Sequence, residues 1–191
     1  MFLLEERILK DGIVGDNDIL KVGAFLNQKI DTPFIYELAK EFHRLYQNCN
    51  ITKVLTIEAS GICSATLTAL CFGVPVVFAK KSMTNNINGE VYVSHVYSFT
   101  HNCDNTVVIP KDYINKDDHI LIVDDFLATG EALNGLIDIV NQAGATVEGC
   151  GILIEKVYQG GGNKLRQKGY RVESLAKISN LYGKNGIEFE K

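Results

Sequence analysis

Several signals that would point directly to a function are missing from these 191 residues. There is no Gly-x-x-x-x-Gly-Lys-Ser/Thr, so the phosphate loop of nucleoside triphosphatases is absent. There is no Gly-x-Gly-x-x-Gly either, since Gly160-Gly161-Gly162 is a run without that spacing. The cysteines Cys49, Cys63, Cys71, Cys103 and Cys150 are odd in number, and no two stand at Cys-x-x-Cys spacing. That argues against a disulfide framework or a zinc knuckle, and for reduced thiols used as small core residues of a cytoplasmic protein. The histidines His43, His95, His101 and His119 sit in no motif that ties them to a thiol nucleophile. No apolar run approaches the roughly 18 residues that span a bilayer. The opening Met1-Phe2-Leu3-Leu4 runs straight into Glu5 and Glu6, which reads as neither a signal peptide nor a membrane anchor. Positive charge is in deficit, with 19 Lys and Arg against 23 Asp and Glu, a net charge of -4 and a pI of about 5.6. A broad basic face, and with it nucleic acid as a partner, is therefore not expected. An anionic substrate would have to be held by local positive groups.

What is present is ordinary for a soluble globular chain: 46% hydrophobic and 22% charged residues, with no internal repeat or low-complexity stretch. The length fits a single domain with a real core. Helix-like and strand-like segments alternate. Helices are predicted over 2–10, 32–47 (Thr32 as N-cap, Pro33 at the first helical position), 62–72 and 131–143, with Gly12, Gly73 and Gly144 closing three of them. Strands are predicted over Lys53–Glu58, Val74–Ala79, His119–Asp125, Val147–Glu155 and Arg171–Ile178. Residues 91–100 and 105–109 form the best hairpin candidate, with Asn102–Asp104 between them. This alternation predicts an α/β fold with a central, mostly parallel sheet flanked by helices. Ligands of such sheets bind where loops leave the carboxyl ends of strands, here 59–61, 80–90 and 126–130.

The informative segment is Ile120-Leu-Ile-Val-Asp124-Asp125-Phe-Leu-Ala128-Thr129-Gly130-Glu131-Ala132. Four apolar residues make a doubly buried strand, and two aspartates follow at its carboxyl end. Successive strand residues face opposite ways, so the two carboxylates diverge unless the strand ends there. Vicinal carboxylates suit neighbouring sugar hydroxyls. Ala-Thr-Gly, followed by a helix N-terminus, lets backbone N–H groups approach an anion. The combination fits a ribose 5-phosphate. An Asp pair alone also occurs in receiver domains and magnesium-dependent ATPases, and it is the Ala-Thr-Gly turn that favours the sugar phosphate.

Residues 120–132 resemble the phosphoribosyl-diphosphate signature of type I phosphoribosyltransferases. The likeness covers nearly the whole chain. Leu20-Lys-Val-Gly-Ala-Phe-Leu-Asn27, Ile57-Glu-Ala-Ser-Gly-Ile62, Val96-Tyr-Ser-Phe-Thr100, Gln142-Ala-Gly-Ala145, Ile154-Glu-Lys156 and Gly169-Tyr-Arg-Val-Glu-Ser-Leu-Ala176 are similar to the xanthine-using bacterial branch. The resemblance implies that fold, with a small N-terminal hood from residues 1–35 and a flexible loop around 82–90 acting as a lid. It implies transfer of a phosphoribosyl group to xanthine, with Mg2+ accompanying phosphoribosyl diphosphate, in a homodimer. By the same resemblance, Ala128, Thr129, Gly130, Glu131 and Ala132 hold the 5-phosphate, and Asp124 and Asp125 face the ribose hydroxyls. Ala59, Ser60 and Gly61 hold the diphosphate, while Leu20, Asn27 and Lys156 meet the base. Adenine-type relatives often carry an Arg where Ser60 stands; its absence leaves open which residue balances the diphosphate charge, with Lys80 and Lys81 the available candidates, together with Mg2+. On the residues alone, a lysine pair before a loop also reads as solvated surface, and Leu20 as plain core. Another purine base, or a purine-sensing transcription regulator on the same fold, is the alternative function. The acidic composition counts against the regulator.

Overall fold

The structure is a computed structural model that describes residues 1–15, 19–82, 89–98, 103–182 and 186–190. Its centre is a six-stranded sheet in the order β10-β9-β8-β7-β3-β4. The strands are β3 (Lys53–Ile57), β4 (Val76–Ala79), β7 (His119–Leu127), β8 (Thr146–Lys156), β9 (Val172–Leu181) and β10 (Ile187–Phe189). All neighbours are parallel except β10, a three-residue antiparallel edge strand that the sequence did not signal. The expected α/β architecture is therefore present. Helices α2 (Thr32–Tyr46), α3 (Gly61–Phe72), α4 (Glu131–Gln142) and α5 (Gly161–Gln167) join or flank these strands, and α1 (Phe2–Asp11) packs near β9. Between α1 and α2 lies a two-stranded ribbon of β1 (Ile13–Val14) and β2 (Leu20–Lys21), followed by a π-helical turn, Gly23–Asn27.

The chain steps outward from β3 to β4, then returns to the other side of β3 and runs outward through β7, β8 and β9. The direction of winding reverses between β3 and β7, and ligands of such sheets bind at the carboxyl ends of strands where that happens. The turn after β3 and the aspartates of β7 share this switch point.

Two apolar clusters form the core. Leu121 and Val123 of β7 enter one, together with Phe25, Phe42 and Tyr46, while Ile120 and Ile122 enter the other, together with Leu136 and Val140. The Tyr46 and Phe42 rings of α2 lie so close to β8 that a Cβ at Gly149 or Gly151 would stand 2.4 Å or 2.9 Å from them. Truncating such a buried aromatic typically costs about 3–5 kcal/mol. Among the described residues no helix is long and apolar enough to cross a membrane.

Several boundaries differ from expectation. The cap of α2 is Asp31, not Thr32: its Oδ1 accepts from Phe34 N at 3.3 Å, and Pro33 falls one position later. Strand β4 starts at Val76 because Pro75 has no N–H to pair. The hairpin exists as β5 (Val91–Ser98) against β6 (Cys103–Pro110), so Cys103 and Asp104 belong to the strand rather than the turn. Residues 99–102, and 83–88 of the expected lid, lie outside the described residues. Strand β7 does not stop at Asp125 but continues to Leu127.

Candidate active site

The aspartate pair sits in the middle of an irregularity. Before it, odd-numbered residues of β7 face the first core; after it, Phe126 packs against that core and Leu127 enters the second. The alternation slips by one across Asp124–Asp125, so the two carboxylates need not diverge. Both reach the turn after β3. Asp124 Oδ1 lies 2.8 Å from where a Cβ on Gly61 would stand, and Asp125 Oδ1 accepts from Ser60 Oγ at 3.0 Å. Each residue is nearly buried, at 4% and 6% exposure. Asp125 N donates to Asp124 Oδ1 at 2.9 Å, and Phe126 N donates to Asp125 Oδ1 at 3.1 Å. Burial, and then the neighbouring Asp125 charge, push the Asp124 carboxyl well above the usual carboxylate range; the Lys81 charge pulls the other way.

The Ala128–Gly130 turn follows directly. Gly130 has φ +90 and stands at the N-cap of α4, where no side chain caps the helix. The first N–H groups of a helix have no partner within it, so Glu131 and Ala132 present donors beside the half-buried Ala128 and Thr129. Asn134 closes the turn from behind, its N and Nδ2 both donating to Gly130 O at 2.9 Å.

Glu58–Ala59 is a cis peptide, followed by Ser60 and by Gly61, which opens α3. A side chain at Gly61 would meet Thr56 Oγ1 at 2.2 Å as well as Asp124. The backbone N of Lys81 donates to Glu58 Oε1 at 2.9 Å, which ties the start of the 80–90 segment to this turn. The two lysines separate. Lys81 is the one whose charge acts on Asp124. Lys80 forms an antiparallel bridge with Val108 and lines a separate cavity of about 700 Å³ at the β4 edge, together with Lys53, Phe78 and Tyr113.

The three residues expected at the base are less concentrated. Leu20 is 5% exposed and packs into the first core. Asn27 ends the π-helical turn, is exposed, and donates from Nδ2 to Asp125 Oδ2 at 3.4 Å. Lys156 ends β8, half-buried, with Nζ 6.0 Å from the centre of the Phe126 ring. Phe126, Glu58 and the glycine run stand beside the site, and the sequence alone assigns them no role. In the fold, Gly161 N donates to Ala128 O at 3.1 Å, so the run backs the Ala128–Gly130 turn. The signal was available, since three glycines before an amphipathic stretch mark a close approach of backbone.

Residues 27–178 match the family model described as the phosphoribosyl transferase domain. The chain is 52% identical over 181 residues to the xanthine phosphoribosyltransferase of Ruminiclostridium cellulolyticum, covering 95% of each. It is 50% identical to that of Lachnoclostridium phytofermentans, covering 97% of this chain and 96% of the relative. Among solved structures, adenine phosphoribosyltransferase from Giardia lamblia complexed with 9-deazaadenine superposes with a TM-score of 0.76 at 24% identity, covering 88% and 93%. The Rhodothermus marinus adenine enzyme gives 0.74 at 21%, covering 92% and 98%. These two likenesses show the fold alone.

Proposed function

This chain belongs to the phosphoribosyltransferase family, and from that premise we propose that it transfers the 5-phosphoribosyl group of phosphoribosyl diphosphate to xanthine, giving xanthosine monophosphate and diphosphate. The observation that carries the sugar-phosphate half is the convergence of Asp124 and Asp125 on one turn, directly ahead of an uncapped helix start. The choice of base rests on relatives about half identical over nearly the full chain that bear the xanthine name.

Asp124 and Asp125 accept from the ribose hydroxyls, and residues 128–132 hold the 5-phosphate through backbone N–H groups. The Ala59–Gly61 turn holds the diphosphate, with Lys81 as the nearer cation and Lys80 as the outer one. Leu20, Asn27 and Lys156 enclose the base; Lys156 can only donate, which suits a 6-oxo group. The base nitrogen attacks the anomeric carbon as the bond to diphosphate breaks, and the protein contributes position, charge and exclusion of water.

Mg2+ fits as a companion of the substrate. It takes one or two carboxylates plus substrate phosphates, which the vicinal aspartates can offer, and among the described residues no cluster of three or more potential ligands would cage it. When bound it neutralises the departing diphosphate. We place the enzyme in the cytoplasm, as a homodimer of single-domain chains with residues 1–35 as hood.

Diphosphate release measured with xanthine, guanine, hypoxanthine and adenine tests the reading. Xanthine is expected to give the highest kcat/KM and adenine almost none. Adenine emerging as the best substrate would refute the placement of the base.

A further inference from the structure

We propose that Gly161, held in place by the Glu155–Arg166 pair, is a positioning element that sets the shape of the 5-phosphate turn. The inference rests on the reading that residues 128–132 receive that phosphate. The backbone of Gly161 lies directly on the turn. Beyond its hydrogen bond to Ala128, a Cβ at Gly161 would stand 2.4 Å from Ala128 O, 2.5 Å from Thr129 C and 2.6 Å from Gly130 N. The contact is reciprocal, because a Cβ on Gly130 would stand 3.3 Å from Gly161 Cα. Every atom met is backbone, so no side chain could swing aside to make room.

The other side of the same helical turn is closed by charge. A Cβ on Gly162 would fall 1.9 Å from Glu155 Oε1 and 2.8 Å from Arg166 Nη1. Glu155 is 1% exposed. Arg166 grips it with both ends of its guanidinium, Nη1 to Oε1 at 2.9 Å and Nη2 to Oε2 at 2.7 Å, and also reaches Val172 O from Nε and Nη2. Burial alone would raise the Glu155 carboxyl, but the bonds from Arg166 and Ser174 hold it below the usual range, so the pair stays ionised. A two-point grip of this kind fixes direction as well as distance. The first turn of α5 is thus wedged between the phosphate turn and an ion pair whose carboxylate is buried. Glu155 also pairs with Leu127 across β7–β8 and immediately precedes Lys156. The wedge therefore refers the phosphate turn to the strand that carries the base lysine.

This differs from a merely structural glycine in a measurable way. Gly161 has no left-handed φ, and Ala is the better helix former, so Gly161→Ala would be neutral or stabilising if the residue only formed α5. The test is calorimetric binding of ribose 5-phosphate and, separately, of inorganic diphosphate. In Gly161→Ala, ribose 5-phosphate affinity is expected to fall about tenfold or more, as displacement of a positioned group does, while diphosphate affinity stays within about twofold and folding is retained. Equal loss of both ligands, or no loss, would overturn the proposal. If Gly161→Ala fails to fold, Arg166→Lys decides instead. It keeps the charge but not the two-point grip, and a selective loss of ribose 5-phosphate supports the wedge while equal or no loss overturns it. Thr129→Ala and Gly130→Val separate the premises. If both bind ribose 5-phosphate like wild type, the phosphate is elsewhere and the underlying reading fails; if they weaken it and Gly161→Ala does not, only the wedge fails.

Discussion

Asp124 and Asp125 are almost sealed from solvent against the turn after β3, where Asp125 accepts from Ser60, whereas Asn27 lies exposed and reaches Asp125 over 3.4 Å. On the proposed reading, the sugar-phosphate half is made from one continuous run, 124–132, plus a turn from the adjacent strand. On the same reading, the base half is assembled from the N-terminal segment, the end of β8 and a ring on β7. The parts of the first half are neighbours in sequence or in sheet pairing. The second depends on the placement of segments far apart in the chain, Leu20 and Asn27 against Phe126 and Lys156. Substitutions in the first half should therefore cost far more than those in the second.

The largest effect is expected from Asp124→Asn with Asp125→Asn. Hydrogen bonds to a charged group contribute about 1.5–3 kcal/mol each, so turnover should fall by orders of magnitude and calorimetry should show phosphoribosyl diphosphate binding nearly lost. Unchanged affinity would erase the distinction between the halves. Gly130→Val comes next. It places a branched side chain at φ +90 and against Gly161, and should abolish most phosphoribosyl diphosphate affinity while circular dichroism stays native. Normal kinetics would place the phosphate elsewhere.

Lys156→Ala moves to the other half. It should weaken every 6-oxopurine by about tenfold or more, the cost of leaving a polar partner unpaired being about 1–3 kcal/mol, and should leave phosphoribosyl diphosphate binding untouched. Loss of both together would mean that the halves are not separable.

Much of the first half could be read in the sequence, because a strand, two acids, Ala-Thr-Gly and a helix are a local pattern with local physics. The strand's continuation to Leu127 was not, since only the opposing cores show where the alternation slips. Lys80 and Lys81 were indistinguishable as letters, and only the bridge to Val108 sets Lys80 apart. The Gly160–Gly162 run was visible without a partner, because its partner, the Ala128–Gly130 turn, lies about 30 residues away in the chain. Leu20, Asn27 and Lys156 came from family resemblance rather than from any pattern of their own.

A smaller effect concerns stability rather than binding. Asp124 has its pKa raised by burial and by Asp125. As pH rises above the usual carboxylate range, the unfolded chain gives up this proton before the folded chain does. Stability therefore falls across that window, and the penalty is complete above the raised value. Asn carries no such penalty. Asp124→Asn should melt higher than wild type at neutral pH, by about 2–4 °C per kcal/mol relieved, and the gap should close in acid. A lower melting temperature at neutral pH would show that the pair is not under charge strain.

The smallest effect is expected at Asn27. Its bond to Asp125 is longer than the usual 2.7–3.2 Å or so, and its surroundings are solvated, so little binding energy is concentrated there. When ribose hydroxyls take Asp125, the amide is released and can donate to the oxygen at purine position 2, which xanthine has and hypoxanthine lacks. One bond is exchanged for another, and the net contribution of a neutral hydrogen bond is only about 0.5–1.5 kcal/mol. Asn27→Ala should therefore lower kcat/KM for xanthine by roughly threefold to tenfold, barely change hypoxanthine, and leave phosphoribosyl diphosphate affinity equal or slightly higher, since Asp125 loses a competing donor. The measurement is kcat/KM on the two bases in wild type and variant. An equal loss on both bases would mean that Asn27 shapes the hood rather than reading position 2. A loss of phosphoribosyl diphosphate affinity would place Asn27 in the sugar-phosphate half, where its bond to Asp125 now holds it.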